Sequence, residues 1–240
     1  LRWQKYVELY SWLKEVAMQK TKLMRSSIAW FKFFISSAIA SSLAFGAVAP
    51  VAANTVTASA ALKTLPTKTW SSHSGYARTQ FGDGWGDIGY CDTRNYILKR
   101  DLRNIVMRSG ENCIVQSGTL NDPYTGKVIS FVRGVKTSLA VQIDHVVALS
   151  NAWSTGAQKL SYASRVQLAN DPLELLAVDG PTNESKSDRD AASWLPRAAY
   201  RCAYVARQIA VKRKYHLWVT SAEKAAMASV LVSCPGFKLP

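Results

Sequence analysis

Histidine, cysteine and acidic residues are all scarce in this 240-residue chain. His73, His145 and His216 are the only histidines, so chemistry needing a side chain that titrates near neutral pH has three candidates. The four cysteines, Cys91, Cys113, Cys202 and Cys234, include no CxxC pair, which argues against a zinc ribbon. No internal repeat stands out. Acids number 16 against 30 bases, a formal charge of +14, and this balance favours a polyanionic partner, either nucleic acid or an anionic membrane surface. What is plentiful is apolar residues, at 48%, enough for a real core in one or two domains.

Part of the positive charge lies at the N-terminus. "MRSSIAWFKFF" is followed by the apolar, small-residue stretch "ISSAIASSLAFGAVAPVAA", the pattern of a secretory signal peptide, with small residues at cleavage-like spacing in "PVAANT" and "TASAAL". An uncleaved membrane anchor is the alternative, because Phe33 to Ala53 carries no charge, although its Ser, Gly and Pro make a poor spanning helix. Residues 1–23 precede Met24 and are left out of the fold argument as an N-terminal extension. Without residues 1–53 the remainder has 23 basic and 14 acidic residues, net +9, so the domain itself is basic. Export makes two disulfides the natural reading of the four cysteines. Three connectivities are possible, and Cys91–Cys113 with Cys202–Cys234 is favoured because each pair closes a local loop.

Residues 54–69 are rich in Thr, Ala and Ser and read as a flexible linker to a domain over 70–240. "FGDGWGDIGYCDTRN" is a Gly- and Asp-rich loop. "TRNYILKRDLRNIVM" carries apolar residues at helical spacing throughout. "CIVQSGTL" and "KVISFVRG" read as strands joined by the tight turn "NDPYTG". "SLAVQIDHVVAL" reads as a further strand, and the chain turns helical from about Ser161. "PLELLAVDGPTN" is a short apolar segment ending in a Gly-Pro turn. Helices follow over about Pro196–Tyr215 and Ser221–Val232, the second opened by the capping pattern "TSAEKAAM". The order is that of a small α+β domain.

The stretch "VQIDHVVALSN" places Asp144 and His145 side by side in an otherwise apolar strand. A structural pair, hydrogen-bonded within the core, is one reading of it. Further along lie Asn170 in "LANDPLELLAVDG" and Asn183 in "NESKSD". Asn170 in "ANDP" also suits a turn, and Asn183 a helix cap. Asp144, a hard anionic oxygen, and Asn183, an amide oxygen, suit Mg²⁺, which takes few protein ligands and keeps its waters. Imidazole suits the base that activates water. Neighbours in a regular strand point to opposite faces, so one phosphate can face both residues only where the strand ends, twists or bulges. "VKRKYH" at 211–216 reads as solvated surface, and His73 and His216 as incidental.

The set D-H, N, N-x-x-K-x-D resembles the HNH nuclease motif, and in particular the secreted members of the GmrSD-type HNH endonuclease family. "FGDGWGDIGYCDTRNYIL", "SGTLNDPYTGKVISFVRG", "IDHVVALSNAWSTGAQ", "LANDPLELLAVDGPTNESKSDRDAASWLP" and "YRCAYVARQIAVK" carry the likeness over about residues 70–236. The resemblance implies an α+β fold with a ββα-metal (HNH, His-Me finger) nuclease core. It implies His145 as general base, Asn170 orienting the imidazole, and Asp144 and Asn183 as ligands of Mg²⁺ or Mn²⁺. The third position is Asn rather than His, which disfavours a soft metal. Lys186, Arg189 and Arg94 are candidates for contacts to DNA phosphates; Arg189 also reads as solvated helix face and Arg94 as a structural pair. The expected protein is an exported monomer that cuts DNA with low sequence specificity, since no separate recognition domain is visible. The competing classes are a non-catalytic basic nucleic-acid-binding protein on a degenerate nuclease scaffold, and a disulfide-stapled cell-surface protein that binds anionic polymers.

Overall fold

A computed structural model describes residues 56–240. The apolar signal-peptide stretch, the cleavage candidate "PVAANT", the anchor alternative and the N-terminal extension fall in residues 1–55, outside the described residues; the other candidate, "TASAAL", lies at the cap and first turns of a helix. No helix among the described residues is long and apolar enough to cross a membrane.

The described chain is mixed α+β. Helix α1 (Ala58–Thr64) comes first, then a two-stranded ribbon, β1 (Asp87–Ile88) and β2 (Cys91–Asp92), and helix α2 (Thr93–Asp101). A three-stranded antiparallel meander follows: β3 (Leu102–Met107), β4 (Val115–Asn121) and β5 (Val128–Val132). Strand β6 (Val141–His145) pairs antiparallel with β7 (Leu175–Asp179), in a register that sets Asp144 opposite Leu176 and His145 opposite Leu175. Between those strands lie helices α3 (Leu149–Ser154) and α4 (Tyr162–Ala169). Helix α5 (Gly180–Lys186) leaves β7 directly, and α6 (Arg201–Lys214) and α7 (Ser221–Val232) close the chain.

The β6–β7 pair divides two apolar clusters. Val141 and Ile143 of β6, with Leu175 and Ala177 of β7, pack with α2 and the meander. Leu176 and Val178 pack with the helices, alongside Tyr124, Val146, Val147 and Tyr204. The period-two alternation of a strand produces this split. It also sends Asp144 and His145 to opposite sides.

Several expectations need correction. The described part of the segment read as a flexible linker, residues 56–69, holds a helix instead: Ala58, Ala61 and Leu62 repeat at helical spacing, and they bury one face of α1 against α6 and α7. Thr57 caps this helix, accepting from the Ala60 N–H. The helix expected over "TRNYILKRDLRNIVM" stops at Asp101, and Leu102–Met107 is a strand because β4 offers it a partner. The strand through Asp144-His145 is shorter than read, and "SNAWS" is part of a helix, α3. The hairpin turn, the start of α4 after its cap Ser161 and the two C-terminal helices stand as read. Both favoured disulfides are present, Cys91–Cys113 and Cys202–Cys234, and each removes about 2–4 kcal/mol of unfolded-state freedom.

Leu62 is 4% exposed in the helical cluster. Leu62→Ala should therefore cost about 2–5 kcal/mol in chemical denaturation. A residue in a flexible linker would cost nothing.

Candidate active site

Strand β6 ends at His145, and the chain beyond it is tied down on several sides. The Val146 N–H donates to the Glu174 carbonyl at 2.9 Å, and the Val147 N–H to the buried Glu174 carboxylate. Gln208 Nε2 donates to the Val146 carbonyl at 2.8 Å. His145 therefore stands at a rigid strand end.

His145 Nε2 lies 3.0 Å from the Ala169 carbonyl. A carbonyl only accepts, so Nε2 carries the proton and Nδ1 of the neutral ring is left as an acceptor. Burial, with further help from the Arg78 and Lys186 cations, pushes the imidazole down to about 3, so it is neutral at pH 7. Trp85 stacks on the ring, with centroids 5.7 Å and planes 6° apart. Asn170 holds Trp85 in place through the next residue: its Oδ1 accepts from the Gly86 N–H at 2.7 Å and its Nδ2 donates to the Val166 carbonyl. Asn170, expected to orient the imidazole or to serve the loop alone, makes its hydrogen bonds to backbone groups of Gly86 and Val166. It supports His145 through Trp85 and through the carbonyl of its neighbour Ala169.

Asp144 points the other way. Its Oδ2 accepts from the Tyr124 hydroxyl and its Oδ1 from Lys186 Nζ at 2.9 Å. The same ammonium donates to the His145 carbonyl at 2.9 Å. Burial raises the Asp144 carboxyl, while Lys186 and Tyr124 pull it back down. Lys186 is 0% exposed, so the expected phosphate contact from a surface lysine is wrong. Its ammonium is the buried partner of Asp144. Lys212, in the run read as solvated surface, is likewise buried, on Glu223 and Asn151.

Helix α5 brings up Asn183. Gly180 begins this helix because a Cβ there would lie 2.0 Å from the Leu139 carbonyl oxygen. Asp179 caps it through the Thr182 N–H, and Asp122 of the hairpin turn accepts from the Asp179 N–H. Gln142 Nε2 donates to Glu184, so Gln142 Oε1 must accept, and it does so from Asn183 Nδ2 at 2.9 Å. That leaves Asn183 Oδ1 as the free end of the amide.

Asp144, His145 and Asn183 line one open cleft of roughly 350 Å³. Tyr76 and Arg78, which the sequence reading passed over, join them, as does Asp188, the closing acid of N-x-x-K-x-D. Asp188 Oδ2 accepts from the Ser150 hydroxyl at 3.2 Å, and its other oxygen has no partner among the described residues. Ser150 in turn bonds His73 Nε2 at 2.9 Å, so His73, read as incidental, stands beside the cleft. Arg94 braces the start of β6 by donating to the Val141 carbonyl and is not in the cleft wall. Arg189 is exposed at its edge. No cluster of three His, Cys, Asp or Glu side chains suited to a metal occurs among the described residues. The donors that line the cleft are hard oxygens: the Asp144 carboxylate, the Asn183 amide and the Asp188 carboxylate. Oxygens of this kind suit Mg²⁺ or Mn²⁺ better than a thiophilic ion.

A strand end with a neutral imidazole, a paired strand and a following helix that presents an amide meet at one open cleft. Residues 92–230 match the family described as GmrSD restriction endonucleases, C-terminal domain, and the chain belongs to that family. It is 36% identical over 181 residues to a protein of Arthroderma benhamiae named "Uncharacterized secreted protein", covering 74% of this chain and 85% of the relative. No solved structure matches the chain.

The buried Lys186–Asp144 pair has a direct test. Removing one partner of such a pair leaves an uncompensated charge, so Lys186→Met should cost about 3–5 kcal/mol in denaturant unfolding. A surface phosphate contact would leave stability unchanged.

Proposed function

We propose that the protein is an exported, metal-dependent endonuclease of the ββα-metal (HNH) type. It hydrolyses phosphodiester bonds of nucleic acid, DNA being the expected substrate, with low sequence specificity. The observation that carries this reading is His145: a neutral imidazole whose Nε2–H is fixed on the Ala169 carbonyl, which leaves Nδ1 as an acceptor, in a residue that lines an open cleft. The family, the basic composition and the hairpin-plus-helix arrangement of β6, β7 and α5 support it. Export rests on the N-terminal apolar stretch, the two disulfides and the relative named as secreted.

In this mechanism His145 Nδ1 takes the proton of a water that attacks the phosphorus. The Ala169 carbonyl stabilises the imidazolium that forms, and Trp85 holds the ring plane. Arg78, the exposed cation of the cleft, faces the phosphate in place of Lys186, and Arg189 adds a contact outside. Asp144 and Asn183, with Asp188 on the same wall, would hold Mg²⁺ or Mn²⁺. When bound, the ion neutralises charge that develops on the phosphoryl and leaving oxygens. Asn170 is a positioning residue here. Specificity stays low because phosphate contacts, common to all sequences, supply most of the affinity.

Purified protein should nick a supercoiled plasmid with Mg²⁺ or Mn²⁺ and stop in excess EDTA. His145→Ala should lower the rate by roughly 10²–10⁴-fold while the melting temperature and DNA binding hold. Full activity in EDTA removes the metal from the account. A destabilised His145→Ala protein that cuts at the wild-type rate reduces His145 to a core hydrogen-bonding group.

A further inference from the structure

A second cavity, of roughly 400 Å³, opens beside the cleft. Ser150 and Asp188 line both, so they form the wall that the two share. Three features describe what the cavity would take.

The first is Trp70, 49% exposed at the cavity. Its backbone is fixed on both sides: the Lys68 N–H donates to the Val219 carbonyl at 3.0 Å and the Ser71 N–H to the Ser154 carbonyl at 2.9 Å. The indole is a mounted apolar plate that no neighbour covers fully. The second is Asn151, 3% exposed and part of the same lining. Its Oδ1 accepts from Lys212 Nζ at 3.2 Å, which fixes the amide orientation, and its Nδ2 has no hydrogen-bond partner. A buried donor without an acceptor is costly, and an arriving acceptor removes that cost. The third is charge. Asp188 and Asp190 stand in the lining, and carboxylates repel a phosphate, while Arg189 supplies a cation for the backbone of a chain passing by.

We propose that this cavity is a nucleobase subsite, which takes the base of the nucleotide next to the scissile phosphate. The inference rests on the nuclease reading of the neighbouring cleft. The base stacks on Trp70, and a small shift of the Asn151 side chain, whose Nδ2 is buried in the resting lining, lets it donate to a carbonyl oxygen or a ring nitrogen of the base. Every nucleobase has a π-face and such an acceptor, so the subsite does not choose strongly among bases. It does require a base free of its partner strand. The substrate class is therefore single-stranded or locally unpaired nucleic acid, and duplex is cut where it frays.

The test has a binding arm and a cleavage arm, both on the intact domain. In the first, adenosine monophosphate and ribose 5-phosphate are titrated into wild type and Trp70→Ala. Trp70 is half-exposed, so the variant should melt with the wild type. The nucleotide should bind wild type roughly 5- to 100-fold more tightly than Trp70→Ala, the size of one base–aromatic stack, and ribose 5-phosphate should bind both equally weakly. In the second arm, a labelled single strand carries one abasic residue. Wild type should cut one phosphate beside the abasic residue more slowly by a similar factor and the remote bonds as usual. Trp70→Ala should not register the missing base. Equal binding of nucleotide and ribose phosphate to wild type, or the abasic effect persisting in Trp70→Ala, overturns the subsite. Nucleotide binding that depends on Trp70, with no strand cut, upholds the subsite and overturns the nuclease reading instead.

Discussion

The ammonium of Lys186 sits in the interior between the Asp144 carboxylate and the His145 carbonyl, and the site is organised around it. An isolated charge cannot be held there; a paired and fully hydrogen-bonded one can. The pairing binds the last turn of α5 to the end of β6, two pieces of chain 42 positions apart. Once that helix end is docked, Asn183 lies one turn back and Asp188 just beyond, where Ser187 reverses the chain at a φ of 52°. The adjacency of Asp144 and His145 thus has a structural meaning as well as a chemical one. Strand alternation turns the carboxylate to the helical side and the imidazole to the side of Trp85, and both reach one cleft because the strand stops there.

The hairpin turn "NDPYTG" braces the same centre from a third direction. Tyr124 donates to Asp144, and Asp122 accepts from the Asp179 N–H at the corner where β7 becomes α5. The corner itself needs glycine at 180, because the Leu139 carbonyl passes too close for any side chain. Three stretches that read separately as turn, strand and helix cap therefore converge on one carboxylate. His145 is held by different means: its ring nitrogen on Ala169, its face on Trp85, and the chain after it on Glu174 and Gln208.

What was legible in the sequence was local. The hairpin, the capped helices, the two short-loop disulfides and the D-H, N, N order follow from neighbouring residues, and they led to the family. What was not legible depends on partners remote in sequence. The Thr- and Ala-rich segment before Leu65 looks like a linker until α6 and α7 supply a surface for Ala58, Ala61 and Leu62. Lys186 and Lys212 look solvated until Asp144 and Glu223 are placed opposite them. Tyr76 and Arg78 sit in unremarkable local contexts, and only the closed fold brings them to the cleft. Asn170 was placed near His145 by the motif, yet it acts through Gly86 and Trp85, a contact no spacing rule describes.

A buried ion pair is a poor source of stability, and on the proposed reading its place is chemical: it fixes the carboxylate that lines the cleft and the strand end that carries the imidazole. The most direct measurement is the double variant Asp144→Leu with Lys186→Met, followed in denaturant unfolding and in plasmid nicking at saturating Mg²⁺. The account predicts that adding Asp144→Leu recovers most of the stability that Lys186→Met alone loses, while cleavage stays roughly 100-fold below wild type. A double variant that is stable and nicks at the wild-type rate would contradict it, because the pair would then be scaffolding alone.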